Sequence, residues 1–564
     1  MAVAIPGSSS VGAPAMLAYG SAGPHRYFDE RAASVARMYD GIFFLAGRWD
    51  DGVATHLGLA GPPVATPWAQ ALRQNIASLT AAGAGVNLLG VLFAPDAPWP
   101  STQTLLSAEY LEKMALHFRR LGACAAAMGF HGVSVDVEYP YPRYALDHPS
   151  YTYIDHTATG LLAAAQAQGR AVTDALLESF PSAAVFVLPG SFRGRPLERA
   201  FMRGMLAAMV DRDAPAGMHL GYERSYCLLD AATQVAIPRE ADCWAQVHLP
   251  PQALAYWRRR CTVAPGVWPL HMAETGARNY PLRPWADELD ELGRQLATLD
   301  RVAKRYVWSF TAHGVWHDAD PEVETRFSLP AAPWPQGEAA VRGWQALLRA
   351  RRLGAVPPPA ELAPLLQAVV AFDEGRLDGG GLCDRFATPG AWTILGPQGN
   401  PFSAPAFGVS TDVPQPLPPE EPVHGPDGAI RWFPYRNWEP TGRMLLREVF
   451  DWRRTDHAAA QLVCDLHCET GLDGHLCLGW DDGLAVWLDG RPVFDHRTAA
   501  SHGGLLHRDR LLFEERLPLS LSRGTHRLAV TSLNHQGEWG FNLRFTGLDG
   551  LPVPGLRFGL PSPV

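Results

Sequence analysis

The chain has 564 residues, of which 47% are hydrophobic and 19% are charged, and its formal net charge is -9. This length predicts more than one domain, and this composition predicts globular units with large apolar cores. The modest negative charge argues against a nucleic-acid-binding protein, which usually carries a basic surface. The sequence contains no run of about 20 apolar residues, so no membrane span is predicted.

The N-terminal residues, MAVAIPGSSSVGAPAM, contain no basic segment followed by a long apolar run. They do not resemble an intact secretory signal, and a cytoplasmic location is therefore the default expectation. A secreted or periplasmic protein trimmed of its signal would look the same.

Eight short apolar runs, separated by amphipathic stretches such as Ser107–Met128 and Leu161–Ser179, occupy residues 1–330. This alternation of eight strands and helices predicts a (β/α)8 TIM barrel. A doubly wound sheet is the alternative, but no Gly-x-Gly-x-x-Gly follows the first strand to support it. The predicted strands are Met16–Tyr19, Gly41–Leu45, Gly85–Leu92, Gly132–Glu138, Ala183–Leu188, Met218–Tyr222, Val267–Met272 and Tyr306–Phe310.

The fourth predicted strand ends in two acids, Asp136 and Glu138, within the sequence GFHGVSVDVEYPYPRY. Side chains alternate along a strand, so residues 134, 136 and 138 share a face, and in a barrel this face points to the axis. Active sites of this fold lie at the carboxyl ends of the strands. Neighbouring carboxyls there suit glycoside cleavage, because like-charge repulsion raises one pKa and yields a proton donor. The alternative is structural: Asp136 caps a turn and Glu138 pairs with an arginine such as Arg143.

The run GFHGVSVDVEYP resembles the strand-four motif of family 18 glycoside hydrolases, the chitinase-like enzymes, whose pattern is DGxDxDxE followed by Tyr-Pro. The resemblance implies that Glu138 is the general acid and that Asp136 orients a substrate acetamido group acting as nucleophile. His131 and Ser134 stand where the family has two further acids. Trp308 on the eighth predicted strand and Tyr222 on the sixth match the family's sugar-contacting tryptophan and tyrosine.

A second carboxylate arrangement remains open. The sequence LHMAETG places Glu274 at the end of the predicted seventh strand. This layout is similar to that of the clan A retaining glycosidases, in which the strand-seven Glu is the nucleophile, although those enzymes carry Asn where this chain has Val137. Carboxyl groups about 5–5.5 Å apart imply retention of configuration, and about 6.5–9.5 Å implies inversion.

Further candidates for substrate binding surround these acids. Tyr139 and Tyr141 belong to a tyrosine-rich loop that could stack on sugar rings, or could fold on itself. Trp308 is the tryptophan best placed for stacking. Glu223 after the sixth strand and Asn87 on the third could bind sugar hydroxyls.

The region after Gly442 consists of short alternating runs with a hairpin signal at Asp489–Gly490, which predicts a β-sandwich. Its motifs resemble a galactose-binding-like or PA14-like jelly roll attached to bacterial carbohydrate enzymes, which implies either glycan binding or bracing of the barrel. The residues that carry this resemblance are Asp481, Asp482, Trp487, Asp489, Gly490, Gly524, Trp539, Gly540 and Phe541. Asp481 and Asp482 are expected to form a turn, with calcium binding as the alternative.

The predicted organisation is a barrel over residues 1–355, a helical and Pro-rich linker over 356–390, and a β-sandwich over 391–564. The 8 cysteines form no CxxC pair, so buried free thiols are expected and no metal site. His131, His219 and His271 are expected to be hydrogen-bonded core residues.

The sequence thus predicts a glycoside hydrolase that uses carboxylate acid/base catalysis on an oligo- or polysaccharide and needs no cofactor. A non-catalytic glycan-binding protein with a degenerate barrel site is the alternative. A barrel enzyme of other chemistry, such as a lyase, is a third reading, because fold does not fix function. The sugar, the linkage and the oligomeric state are not predicted.

Overall fold

The computed structural model describes most of the chain. The described residues are 13–21, 23–48, 57–92, 107–137, 156–188, 190–193, 196–226, 230–269, 285–310, 337–354, 357–399, 422–425, 428–452, 455–497, 513 and 515–561. They divide into two compact units. The first takes the described residues of Met1–His148, Asp155–Leu228 and Pro250–Ala360, and the second takes those of Leu229–Leu249 and Glu361–Val564.

The first unit is a closed barrel of eight parallel strands, in which each strand pairs with the next and the eighth pairs with the first. The predicted TIM barrel is therefore confirmed. Its strands are β1 (Ala15–Ser21), β2 (Gly41–Arg48), β3 (Leu88–Leu92), β4 (Gly132–Asp136), β5 (Ala184–Leu188), β6 (Met218–Tyr222), β7 (Thr262–Val267) and β8 (Tyr306–Phe310).

The predicted position of the seventh strand, Val267–Met272, is wrong. β7 is Thr262–Val267, and it ends where the prediction began. The sequence TVAPGV hides this strand because Pro and Gly are both disfavoured in strand interiors. Glu274 consequently lies seven residues beyond the end of β7, outside the described residues.

Helices follow the strands as the alternation predicted. The first unit contains nine of those that the structure describes, and the second contains five. In chain order they are α1 (Tyr27–Glu30), α2 (Ala32–Ala36), α3 (Pro67–Ala82), α4 (Ala108–Met128), α5 (Ala158–Ser179), α6 (Pro196–Asp211), α7 (Ala231–Ala236), α8 (Glu240–His248), α9 (Pro251–Arg260), α10 (Trp285–Val302), α11 (Gly337–Arg352), α12 (Ala363–Asp373), α13 (Gly379–Arg385) and α14 (Leu446–Val449). In the part of the chain described, none of them is long and apolar enough to span a membrane.

The local sequence around helix α4 explains how the chain passes from this helix into β4. Ser107 caps the helix by accepting a hydrogen bond from the Tyr110 amide, and Gly129 ends it with a φ of 82°. Gly132 then begins β4 with no side chain, and a Cβ there would lie 1.9 Å from the Ala184 carbonyl oxygen. These two glycines fix the sharp exit from α4 and the close β4–β5 approach, because each position disfavours a side chain.

The amino end of the barrel interior is filled by aromatic and imidazole rings. The rings of His219 and Tyr306 lie 4.7 Å apart, and Tyr306 shares a 3.1 Å hydrogen bond with His131. The His219 ring bonds the Thr262 hydroxyl at 2.9 Å and the Ala216 carbonyl at 3.1 Å. His219 is a buried, hydrogen-bonded core residue as expected, whereas His131 is hydrogen-bonded but only half-buried, and His271 lies outside the described residues.

The buried His219 predicts a pH-dependent stability. Burial, followed by the charge of Arg305, holds the pKa of His219 well below its ordinary value of 6.5. Below about pH 6.5 His219 therefore binds a proton in the unfolded chain but not in the folded chain. The free energy of unfolding is unaffected by this group above that pH and decreases below it. The free energy of unfolding should fall by about 1.4 kcal/mol per pH unit for this one group.

Urea unfolding measured from about pH 7 to pH 5 checks this prediction. His219→Gln should flatten the pH dependence, whereas the exposed His467→Gln should leave it unchanged. An unaltered slope in the His219 variant would contradict the assignment.

The second unit contains two main antiparallel sheets that form a β-sandwich. In the larger sheet the order is β12, β9, β14, β19, β16 and β17, with β21 also paired to β14; in the smaller it is β13, β20, β15 and β18. Side chains from both sheets, including Leu462 and Phe541, share one buried core. The strands of this unit are β9 (Ala391–Gly399), β10 (Val423–Gly425), β11 (Gly428–Ile430), β12 (Phe433–Arg436), β13 (Arg443–Leu445), β14 (Ala458–Cys468), β15 (Leu472–Trp480), β16 (Gly483–Leu488), β17 (Arg491–His496), β18 (Glu515–Leu521), β19 (Gly524–Asn534), β20 (Gly540–Gly547) and β21 (Leu556–Gly559).

The predicted hairpin at Asp489–Gly490 joins β16 to β17, with φ values of 50° and 76° at the two residues. The acidic turn at Asp481–Asp482 precedes β16, and Asp482 accepts hydrogen bonds from the amides of His535 and Gln536. Burial and the nearby charges of Asp482 and Glu538 raise the pKa of Asp481 to about 8. Asp482 thus acts as a turn-forming acid, and the described residues include no group of three or more His, Cys, Asp or Glu side chains arranged for a metal ion.

The segment Leu229–Leu249, which follows β6 in the chain, belongs to the second unit. Arg544 on β20 pairs with Asp230 at 2.8 Å and donates to the Thr233 hydroxyl at 3.0 Å. Arg443 on β13 lies 3.4 Å from Glu240, whose side chain is fully buried. These polar contacts join residues separated by 203 and 314 positions. The predicted domain bounds, which place 229–249 in the barrel, did not anticipate this.

Candidate active site at the carboxyl ends of the barrel strands

Asp136 is the last residue of β4, and it lies at the carboxyl end of the barrel. Its neighbour on the same face is Ser134, so both side chains point into the barrel interior. Asp136 is 5% exposed, and its Oδ2 accepts a hydrogen bond of 3.1 Å from the Tyr19 hydroxyl on β1. No other Asp or Glu lies within the eight barrel strands as the structure describes them. The sequence argument that a carboxylate sits in this position is thus met by Asp136.

Aromatic rings surround the donor of this hydrogen bond. The ring of Tyr19 lies 5.4 Å from that of Phe43 and 5.6 Å from those of Trp308 and Phe310. Such packing restricts the phenol to one orientation and excludes water from the bond, which strengthens it electrostatically. Asp136 is therefore held in a fixed position by a side chain from the opposite part of the barrel.

Replacing Tyr19 by Phe should lower the free energy of unfolding by about 1–3 kcal/mol, because a buried carboxylate loses a donor while the ring packing is kept. Tyr19→Leu should lower it further by removing the ring contacts as well. Chemical unfolding of the two variants separates the hydrogen bond from the packing. Stability of Tyr19→Phe within about 0.5 kcal/mol of the wild type would show that the bond contributes little.

Ser134 lies one layer deeper than Asp136. Its hydroxyl is buried and has no hydrogen-bond partner among the residues described. β4 pairs Ser134 with Gly90 on one side and Phe186 on the other. A polar atom therefore remains in the interior at the position where the resemblance would place a second acid.

Four of the predicted site residues, Glu138, Tyr139, Tyr141 and Glu274, lie outside the described residues. One residue beyond the end of β4, the Val137 amide donates a hydrogen bond to the Leu188 carbonyl of β5 at 2.6 Å. Glu138 is the next residue in the chain. Glu223 follows β6 directly and is half-buried.

Three predicted substrate contacts occupy structural positions instead. Tyr222 pairs with Pro265, so it lies on the outer face of the barrel, opposite to the inward-facing Gly221. Trp308 is 1% exposed, and its indole N–H donates to the Ala264 carbonyl at 2.9 Å, so it is a core residue. Asn87 precedes β3 at the amino end of the barrel.

The side-chain amide of Asn87 is engaged with the backbone. Its Oδ1 accepts from the Ile42 amide at 3.1 Å, and its Nδ2 donates to the Ala84 carbonyl at 2.7 Å. Both functions of the amide are thus used in positioning β2 and β3. We therefore leave Asn87, Tyr222 and Trp308 out of the candidate site.

Two aromatic residues at the rim escaped the sequence analysis. Trp268 directly follows β7, and Phe310 ends β8; both are half-buried. Trp268 was missed because the seventh strand was placed over it, and Phe310 because Trp308 was preferred two residues earlier. Their position in the sequence could have identified them, because each is an aromatic residue at the carboxyl end of a barrel strand.

The comparisons with known proteins show neither a family nor an activity for this chain. No protein-family model and no curated protein matches the chain. A GH18 chitinase from Pseudoalteromonas aurantia is 10% identical, with 54% of this chain and 96% of that chain covered and a TM-score of 0.31. The xylanase XynB from Paenibacillus barcinonensis is 11% identical, with 55% and 88% covered and a TM-score of 0.31.

The structural matches also include a morphinone reductase and a protein that is matched over part of its length. A morphinone reductase is 11% identical, with 64% of this chain and 92% of that chain covered and a TM-score of 0.32. An anti-sigma factor domain-containing protein from Clostridium clariflavum is 12% identical, with 20% and 35% covered and a TM-score of 0.16. The chain therefore spans about a third of that protein.

Proposed function

We propose that the protein is a glycoside hydrolase whose site lies at the carboxyl ends of the barrel strands. The observation that carries the proposal is the buried Asp136 carboxylate, which accepts a hydrogen bond from the Tyr19 hydroxyl, while the Tyr19 ring packs against Trp308 and Phe310. A carboxylate held beside aromatic rings suits a substrate rich in hydroxyls and C–H faces. The substrate we propose is an oligo- or polysaccharide.

In the proposed reaction Glu138 gives its proton to the glycosidic oxygen as the bond from that oxygen to the anomeric carbon breaks. Asp136, held by Tyr19, orients the substrate beside this donor. Glu274 is the proposed partner carboxylate. It either attacks the anomeric carbon itself, with water completing hydrolysis later, or removes a proton from the attacking water. Both routes end with the hydroxyl of water on the anomeric carbon.

The test is turnover on defined substrates. Wild-type protein should release reducing ends from at least one of cellohexaose, xylohexaose and chitohexaose, or release phenol from the matching aryl glycosides. Glycan binding without turnover would favour the non-catalytic alternative, which is supported by the absence of acids at His131 and Ser134. If the protein neither binds nor hydrolyses any sugar of this panel, the proposal is rejected.

The role of the β-sandwich in this proposal stays open between glycan binding and bracing. Removal of the barrel site by mutation, followed by affinity electrophoresis in gels that contain soluble cellulose, xylan or chitin derivatives, distinguishes the two. Retained retardation in the gel would assign glycan binding to the sandwich.

A further inference from the structure

Trp268 and Phe310 form an aromatic pair at the carboxyl ends of neighbouring strands. β7 and β8 are paired through Gly266 and Trp308, and the two rim residues stand just beyond this pairing. Their ring centroids are 4.9 Å apart with an interplanar angle of 83°, an edge-to-face contact. Both keep part of their surface exposed, whereas the neighbouring Tyr226 is only 4% exposed.

Tyr226 supports this pair from the protein side. Its ring stacks on Phe310 at 5.6 Å with an interplanar angle of 23°, and it meets Trp268 edge-on at 5.6 Å. Gly266 makes this possible, because a Cβ there would lie 2.7 Å from the Tyr226 ring. The Ser225 hydroxyl donates to the Gly266 carbonyl at 2.7 Å and fixes the turn. The pair is therefore supported by buried, hydrogen-bonded structure and does not need to be ordered by a ligand.

The pair is also close to Asp136. Phe310 lies 5.6 Å from the ring of Tyr19, and Tyr19 donates its hydroxyl to Asp136. One side chain thus separates the aromatic pair from the carboxylate. Rings that touch a catalytic region and keep exposed surface are suited to bind the apolar face of a sugar ring.

The same surroundings disfavour an anionic sugar. The face of an aromatic ring carries negative electrostatic potential, and Asp136 adds a carboxyl group nearby. A uronic acid or a sulfated sugar stacked here would place like charges together, which costs free energy in a buried site. The strands that carry the pair contribute no Lys or Arg within Thr262–Val267 or Tyr306–Phe310.

We infer that Trp268, backed by Phe310, is the sugar-stacking wall of this site and selects neutral pyranosides with C–H faces over anionic sugars. The inference rests on the proposed function, because it names the substrate class of that site.

The experiment compares Trp268→Ala with Trp268→Phe in the full-length chain. KM for the best hexasaccharide among cellohexaose, xylohexaose and chitohexaose should rise about 10-fold in the Ala variant, with kcat changed less than about 3-fold. The Phe variant should recover most of the loss, since it restores an aromatic face. Trp438→Ala, which removes a half-buried tryptophan in the second unit, is the matched control and should leave KM unchanged.

The outcomes separate this inference from the proposed function. An unchanged KM in Trp268→Ala, with hydrolysis intact, overturns the stacking role and leaves the hydrolase proposal standing. Hydrolysis of hexagalacturonate as fast as the neutral hexasaccharides overturns the preference for neutral sugars. Absence of turnover by the wild type on every probe removes the proposed function and this inference with it. Where Trp268→Ala does not fold, Trp268→Leu, which keeps apolar bulk without an aromatic face, replaces it, and an unchanged KM in that variant overturns the stacking role equally.

Discussion

Substitution of Glu138 by Gln should lower kcat for hexasaccharide hydrolysis by about 10²–10⁴-fold, because general acid catalysis typically contributes that much. A sugar alkoxide is a poor leaving group and needs a proton as the glycosidic bond breaks. Gln keeps the shape of Glu and carries no acidic proton. KM should change far less than kcat, since the amide still fills the same space.

The identity of the leaving group makes this prediction specific. The leaving group of a 2,4-dinitrophenyl glycoside departs as a stable phenolate and needs no proton. The kcat for this substrate should therefore fall much less in the Glu138→Gln variant. Glu178→Gln is the matched control: its side chain is 54% exposed, and the residue lies on α5. Equal losses on activated and natural substrates would show that Glu138 does not act as the proton donor, as would full activity of the variant on both.

Replacement of Arg544 by Met should destabilise the second unit by about 3 kcal/mol, the lower end of the range for breaking a buried ion pair. The Arg544 side chain is 1% exposed and its partner Asp230 is 30% exposed, so Asp230 can recover part of its hydration. The variant also withdraws a donor from the Thr233 hydroxyl. Arg557→Met is the control, because that arginine is 69% exposed in its pair with Glu469 and should change stability by less than about 1 kcal/mol.

The effect of Arg544 should also depend on pH. Burial opposes ionisation of Asp230, but the charge of Arg544 and hydrogen bonds from Thr233 outweigh it and hold the pKa of Asp230 below its ordinary value of 3.8. The folded chain then holds this proton less tightly than the unfolded chain, so the contribution is complete above about pH 3.8 and is lost as the pH falls through the folded pKa. Urea unfolding of the wild type and Arg544→Met should therefore converge in acid. A constant difference down to about pH 2 would exclude the ionic explanation.

The barrel was predictable because seven of its strands are short apolar runs of the expected length. β7 was missed since Pro265 and Gly266 interrupt the pattern, and the apolar run beyond it attracted the prediction. A misplaced strand gives a wrong location to every residue that is assigned relative to the end of that strand. Glu274 was assigned to a strand end for that reason.

Asp136 followed from a local rule, the alternation of side chains along a strand. Its partner Tyr19 did not, because the bond joins β1 to β4 across 117 residues and depends on closure of the barrel. Trp308 and Tyr222 were chosen by residue type on the right strands, but facing direction and depth decide whether a ring meets a ligand. Those two properties depend on register, which the sequence alone does not specify at single-residue accuracy.

The position of Asp230 and Glu240 in the chain, between two strands of the barrel, affects how the second unit folds and which fragments can be expressed. Both acids are synthesised before β7, and Arg544 follows Asp230 by 314 residues, so the pair can form only after residue 544 has been synthesised. A fragment that begins in the 356–390 region carries Arg443 and Arg544 without the acids that neutralise them. Such a fragment would leave two buried guanidinium groups without their partner carboxylates, and we expect it to be insoluble or loosely folded. The sheets of the second unit are thus unsuitable as a fusion domain unless residues 230–249 are included.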